Sequence, residues 1–242
     1  LDREMSELDK AIAEYRGIVE DDETCIDAYK ALDEIFTRTE RWEDLVEVFE
    51  QRIPVEPDPV EAALLHSKAA GLYEERFSDL RKAAQHLEDL LVLSPGELSA
   101  VKGLERIYEM TGDWEKLVDT QQRHLELADD AAEQVAVLQQ MAEVYYGRLQ
   151  LTDRAEEVYN QVLKVEPQNI AAIHALAQMY ERSGNWFNAM EMRQREAEVA
   201  GGGPEAIDIW YRMGKINEDM LLDPGSAKES YDKALDIEPS HL

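Results

Sequence analysis

The sequence predicts an all-α protein, a right-handed α-solenoid built from helix-turn-helix repeats. Three tryptophans, Trp42, Trp114 and Trp186, stand 72 residues apart. The same spacing separates prolines and alanines, namely Pro95, Pro167 and Pro239, and Ala83, Ala155 and Ala227. A period this strict indicates one structural unit copied along the chain. No stretch alternates apolar and polar residues in the manner of a strand, so every element is expected to be helical.

The whole chain, residues 1–242, is predicted to form one solenoid segment. A partial repeat at 1–24 precedes three copies of the unit, which we call repeats 1, 2 and 3 and which span 25–96, 97–168 and 169–240. Each repeat has room for two helix-turn-helix motifs of about 34 to 38 residues. Neither end shows a polar capping helix, so the segment is expected to belong to a longer solenoid.

The second motif of each repeat carries the more regular pattern. In repeat 3 a large, an apolar and a small residue precede Ala, an aromatic residue, Ala and Pro, in the order Trp210, Met213, Gly214, Ala227, Tyr231, Ala234 and Pro239. This order resembles the tetratricopeptide repeat family. The first motif is more degenerate, as in Ala172, Leu176, Ala177, Tyr180, Gly184, Trp186 and Ala189. The resemblance implies stacked helix pairs whose first helices line a surface that binds other proteins.

Local chemistry favours the same elements. Ala100, Leu104 and Tyr108 place apolar side chains on one face of a helix, which cannot bury that face alone. Asp223 is suited to cap a helix whose first position is Pro224. Small residues allow paired helices to approach closely, at Ala70, Ala142, Ala177 and Gly214.

The charge balance excludes several kinds of partner. A net charge of −28 argues against nucleic acid, because phosphate binding needs a footprint of lysine and arginine. Anionic membrane surfaces are disfavoured for the same reason. The sequence contains no apolar run of membrane-spanning length and no basic-then-apolar signal at its start. A cytoplasmic protein is expected, or a periplasmic one if a signal precedes the segment.

Chemical motifs of enzymes and metal sites are missing from the sequence. It contains no glycine-rich phosphate loop, no His-Glu-x-x-His helix and no cysteine pair, since Cys25 is the single cysteine. His66 stands where Leu138 and Trp210 stand in the later copies, which favours a packed histidine over a ligand. We therefore expect no catalytic residue, no metal and no cofactor.

Candidate partner-binding residues come from the first helix of each motif, by the resemblance. Lys30, Lys102 and His174 recur at the 72-residue period, and Arg106 and Arg182 lie one and two turns beyond that position. The regular motifs add three further candidates, Tyr146, Tyr211 and Lys215. A groove with these residues would suit a protein or peptide partner of acidic or mixed charge.

Three functions remain open at this point. The leading hypothesis is a non-enzymatic scaffold that binds a polypeptide partner in its groove. The alternative is a structural element that self-associates by stacking solenoid ends. A third reading is a regulatory segment attached to an enzyme elsewhere in a longer chain.

Overall fold

The computed structural model describes the backbone of residues 2–238 and the side chains of residues 7–238. In that range it contains thirteen α-helices, one short 3-10 helix at Ile53–Val55 and no strand. The helices are α1 (Asp2–Asp21), α2 (Ile26–Arg38), α3 (Trp42–Arg52), α4 (Pro59–Glu75), α5 (Leu80–Leu93), α6 (Leu98–Thr111), α7 (Trp114–Leu127), α8 (Ala131–Gly147), α9 (Thr152–Val165), α10 (Ile170–Ser183), α11 (Trp186–Ala200), α12 (Glu205–Asp219) and α13 (Pro224–Ile237). The predicted all-α solenoid class is confirmed. Pro239, the proline predicted to close the last motif, lies outside the described residues.

The chain divides into two compact units, an N-terminal unit (Leu1–Leu127) and a C-terminal unit (Ala128–Leu242). In the N-terminal unit each helix from α1 to α7 packs against the next one along the chain. In the C-terminal unit α8 to α13 pack in the same way. Each helix therefore buries its apolar face against its neighbours in sequence, as in an array of repeats.

Helix ends follow the chemistry predicted for them. The carboxylate of Asp223 accepts hydrogen bonds from the backbone N–H groups of Gly225 and Ser226, at 3.0 and 3.1 Å, and α13 begins at Pro224. This cap satisfies donors that lack partners inside the helix. Asp79 caps α5 in a similar way. The predicted cap at Asp223 is confirmed.

Two turns recur with left-handed backbone. The turn after the first helix of each repeat has φ of 73° at Gly112 and 74° at Gly184, but its first copy places Glu40 there, with φ of 55°. A second series at the same 72-residue spacing consists of Ser78, Gln150 and Leu222. Residues other than glycine rarely adopt this backbone conformation. The repeat geometry therefore imposes it even where glycine is absent.

Close helix approach explains the small residues. Ala142 and Ala177 are fully buried, and a Cβ atom added to Gly214 would collide with the ring of Tyr231 on the paired helix. The period-marking tryptophans Trp42, Trp114 and Trp186 are half-buried and occupy the first positions of α3, α7 and α11.

Two histidines share a contact in the N-terminal unit. The Nδ1 atoms of His66 on α4 and His86 on α5 lie 3.1 Å apart, so one ring donates and the other accepts. Burial lowers the pKa of His66. Burial and the neighbouring His66 lower the pKa of His86. His66 is 7% exposed, which confirms the packed histidine predicted from its place in the repeat.

This pair should make the N-terminal unit sensitive to acid. Because the folded pKa values lie below 6.5, the unfolded chain binds more protons as pH falls below about 6.5, and the free energy of unfolding decreases there. Urea unfolding followed between pH 7.5 and 5.5 checks this. The control is the double variant His66→Leu/His86→Val, which installs the residues found one repeat later at Leu138 and Val158. An equal loss of stability in the variant and the parent would contradict the assignment.

Candidate binding groove

The C-terminal unit contains a groove between α10 and α12, with α11 at its base. Its volume is about 890 Å³. The lining residues include apolar, acidic and basic side chains: Ile170, His174, Gln178, Glu181, Arg182, Arg193, Glu196, Val199, Ala200, Glu205, Asp208, Ile209 and Arg212. The groove is formed by one face of each of the three helices, which places side chains four residues apart in one row.

The floor of the groove is a buried network of charges. Arg193 on α11 donates from Nε to Glu181 Oε1 at 2.8 Å and from Nη1 to Glu196 Oε2 at 2.6 Å. All three side chains are less than a tenth exposed. A buried arginine is tolerable only when its charge is paired and its donors are occupied. These contacts pair the charge of Arg193 with two carboxylates and hold the guanidinium in one orientation.

The network extends to the rim on both sides. His174 lies 2.5 Å from Glu196 Oε1 through Nδ1, and Gln178 lies 2.6 Å from its Nε2. The two contacts fit a ring that donates to the glutamate and accepts from the amide. On the other side, Arg212 of α12 donates to Glu181 Oε2 at 2.7 Å. The network thus joins α10, α11 and α12 through side chains.

Electrostatics keep the floor ionised. Burial opposes the charged form of Glu181, but hydrogen bonds from Arg212 and Arg193 outweigh it and lower the pKa of the carboxyl group. Burial also opposes the charge on Arg193, and its contacts with Glu181 and Glu196 raise the pKa of the guanidinium despite it. Glu181 and Arg193 therefore stay charged at neutral pH and present fixed groups to the groove.

Three of the predicted site residues meet at this groove. His174 and Arg182 line it, and Arg182 Nη1 donates to the hydroxyl group of Tyr146 at 2.9 Å. Tyr211 and Lys215 belong to the same unit but do not line it. The ring of Tyr211 lies 5.7 Å from that of Tyr231, and Lys215 pairs with Asp219 at 3.1 Å.

The other three predicted residues belong to the N-terminal unit. Lys30 and Lys102 are exposed on α2 and α6. Arg106 forms a two-point ion pair with Glu74 of α4, of which the Nη2–Oε2 contact measures 2.9 Å. Glu74 therefore neutralises much of the positive charge that Arg106 was predicted to contribute to the binding surface.

The structure also shows functional candidates that the pattern of first helices does not reveal. Arg193 and Glu196 lie on a second helix, and their side chains reach the groove floor from below. One feature of the sequence could have indicated these residues. The positions that correspond to Glu196 in repeats 1 and 2 are also ionisable, namely Arg52 and His124. All three side chains are buried. The Nδ1 atom of His124 lies 2.9 Å from the carboxylate of Glu105 on α6.

Two negative findings apply to the described part of the chain. Among residues 7–238 no group of three or more His, Cys, Asp or Glu side chains is arranged to hold a metal ion. No helix described by the structure is both long and apolar enough to cross a membrane.

Comparisons with known proteins agree with the repeat pattern. A family model described as tetratricopeptide repeat matches three segments, 28–61, 100–135 and 172–205, which correspond to the first, degenerate motif of each repeat and the turn after it. No curated protein matches the sequence.

Solved structures with similar folds share little sequence. The C-terminal part of a repeat-containing protein from Cytophaga hutchinsonii has a TM-score of 0.50 at 12% identity, with 98% of this chain and 93% of that chain covered. YrrB, described as a protein with an unusual peptide-binding site, has a TM-score of 0.47 at 18% identity, covering 81% and 95%. MamA from Desulfovibrio magneticus RS-1 has a TM-score of 0.45 at 17% identity, covering 74% and 96%. At these identities the likeness concerns the fold.

Proposed function

Because the chain belongs to the tetratricopeptide repeat family, whose members generally bind other proteins, we propose that it is a non-enzymatic scaffold with a polypeptide-binding groove between α10 and α12. The partner is another protein, which inserts a segment of its chain. The groove needs no cofactor or metal for this role. Binding of this kind uses a groove that is already formed before the partner arrives.

The proposal rests on the buried charge network of the groove floor. Arg193 donates to Glu181 at 2.8 Å and to Glu196 at 2.6 Å, so these three side chains are already held in place when a partner binds. A binding surface that is ordered beforehand loses less conformational entropy on association. The rim above this floor remains open to solvent, where His174 and Arg182 are exposed.

The remaining predicted residues do not line this groove. Lys30, Lys102, Arg106, Tyr211 and Lys215 are exposed or half-exposed on first helices outside it. Charges at the rim of an interface act mainly on the rate of association and on its salt dependence. We assign this role to Lys215, the charged residue among them that belongs to the same unit as the groove, and the other four remain predicted binding residues without a place in this groove.

A groove-filling variant tests the proposed function. Ala200, a half-buried residue at the end of α11, lines the groove, so Ala200→Trp should block it. A random-peptide display library selected on the parent protein should yield peptides that bind the parent at micromolar strength. We expect Ala200→Trp to weaken their binding at least tenfold without loss of helicity, as measured by peptide titration and circular dichroism.

Asn160→Trp is the matched control, since Asn160 is exposed on α9 of the same unit and does not line the groove. It should bind the selected peptides like the parent. Failure of the library to yield any peptide that distinguishes the two variants would contradict the proposal. Growth of the particle mass with concentration in the same preparation would favour the stacking alternative instead.

A further inference from the structure

The two ends of the groove differ in chemistry. At one end α10 and α12 begin and α11 finishes, which places apolar and acidic residues together. This apolar–acidic end consists of Ile170, Val199, Ala200, Glu205, Asp208 and Ile209. The basic end lies near the last turn of α10 and consists of Arg182 and Arg212. A segment lying along the groove therefore meets opposite charges at its two ends.

The apolar side chains of this end are unusually open. The sequence Gly201–Gly203 followed by Pro204 delays the start of α12 to Glu205, two positions later than α4 and α8 start in their repeats. Ile209 is half-buried, whereas its counterparts Leu65 and Val137 are 1% and 3% exposed.

Two neighbours of Ile209 share this openness. Ile170 is 46% exposed and Val199 is 39% exposed. Exposed apolar surface next to a preformed cavity is typical of a binding site for an apolar side chain. The acids beside it, Glu205 and Asp208, are both exposed, so a neighbouring side chain of the partner would gain most from a positive charge.

The basic end retains donors for an acidic group. The Arg212 side chain is 55% exposed and uses Nε and Nη2 toward Glu181, while Arg182 is exposed and uses Nη1 toward Tyr146. A guanidinium group has five N–H donors, so each of these two arginines has donors left for a carboxylate.

The distance between the two ends of the groove determines how many residues of the bound segment separate the groups that contact them. Ile170 and Arg182 are twelve positions apart on α10, which at a rise of 1.5 Å per residue corresponds to about 18 Å. An extended chain advances about 3.3 Å per residue. About five residues of an extended segment therefore cover the distance from one end to the other.

We propose that the groove selects an extended segment with an apolar and a basic residue side by side and an acidic residue about five positions from this pair. The apolar side chain sits against Ile170, Val199 and Ile209, and the basic one faces Glu205 and Asp208. The acidic residue binds Arg182 and Arg212. This inference rests on the proposed function and specifies its partner.

The test uses defined peptides and a charge reversal. The probe is Lys-Leu-Ser-Ser-Ser-Glu, capped at both ends, together with its reversed order, because the chain direction is free. The comparison peptide, in which glutamate replaces lysine, is Glu-Leu-Ser-Ser-Ser-Glu, also in both orders. Titrations followed by NMR should show that the parent binds the better lysine peptide at least fivefold tighter than either glutamate peptide. The double variant Glu205→Lys/Asp208→Lys should invert this preference.

The control double variant, Glu229→Lys/Asp236→Lys, makes the same change in net charge on exposed positions of α13. It should keep the preference of the parent. Equal binding of lysine and glutamate peptides by the parent, or an unchanged preference in Glu205→Lys/Asp208→Lys, overturns the inference. If the inference fails but display peptides still require the groove for binding, the proposed function remains valid without this specificity. If no peptide depends on the groove, both fail.

Discussion

Replacing Arg193 with methionine is expected to destabilise the C-terminal unit by about 3 kcal/mol. The substitution removes the only cation that contacts both Glu181 and Glu196 in the described structure, and both carboxylates are less than a tenth exposed. Breaking one side of a buried ion pair costs about 3–5 kcal/mol, because a charge remains buried without compensation. The low end applies here, since Glu181 keeps Arg212 and Glu196 keeps His174. Urea unfolding, with hydrogen exchange of α11 amides to identify the unit, measures the change.

Neutralising the two carboxylates provides the control. The triple variant Arg193→Met/Glu181→Gln/Glu196→Gln removes the charges together and should recover part of the lost stability, because no carboxylate then remains buried without its counter-charge. If the single and triple variants were equally unstable, the loss would come from packing of the long arginine side chain and not from its charge.

Truncating Phe36 to alanine is expected to destabilise the N-terminal unit by about 3–5 kcal/mol, the cost of removing a large aromatic side chain from a core. Phe36 on α2 is completely buried. The guanidinium carbons of Arg16 and Arg41 lie 5.6 and 4.9 Å from its ring centroid, so two cation–π contacts are lost as well. Protection of α2 amides in hydrogen exchange should decrease in proportion, while the amides of α10 to α12 serve as an internal reference.

The matched control is Phe187→Ala, because Phe187 at the start of α11 is 78% exposed. Exposed substitutions away from special features usually change stability by less than about 0.5 kcal/mol. Similar losses for the two phenylalanines would mean that Phe36 is not a core residue or that Phe187 is covered in solution. Either result would require a different assignment of the apolar faces.

Local features of this protein were predictable from the sequence because they depend on neighbours within one or two helical turns. The cap at Asp223 requires only backbone donors two and three residues away. The small residue at Gly214 was recognisable from its fixed place in the motif, and its contact with Tyr231 on the paired helix explains that place. The tryptophans marked the period correctly, although the period does not determine that all three are half-buried.

Only some of the residues of the groove could be predicted from the sequence. His174 and Arg182 were predicted from the face of a first helix, and the structure places both in the groove. Arg193 was missed because the candidate residues were taken only from the first helix of each motif, and Arg193 lies on a second helix. Its side chain is both buried and polar, and it is stabilised by Glu196 on the same helix and by Glu181, twelve positions away in sequence.

The sequence by itself determined the helical class, the 72-residue repeat, the helix caps and the close-packed helix pairs, since the spacing of residues along a helix sets each of these. The tertiary structure decided which charges neutralise one another. Arg106 pairs with Glu74 across 32 positions and Arg212 with Glu181 across 31. Pairs so far apart form only when helices from successive motifs are packed at a particular rotation and offset. In a chain with 53 acidic and 25 basic residues, composition allows many pairings, and the packing of helices selects among them.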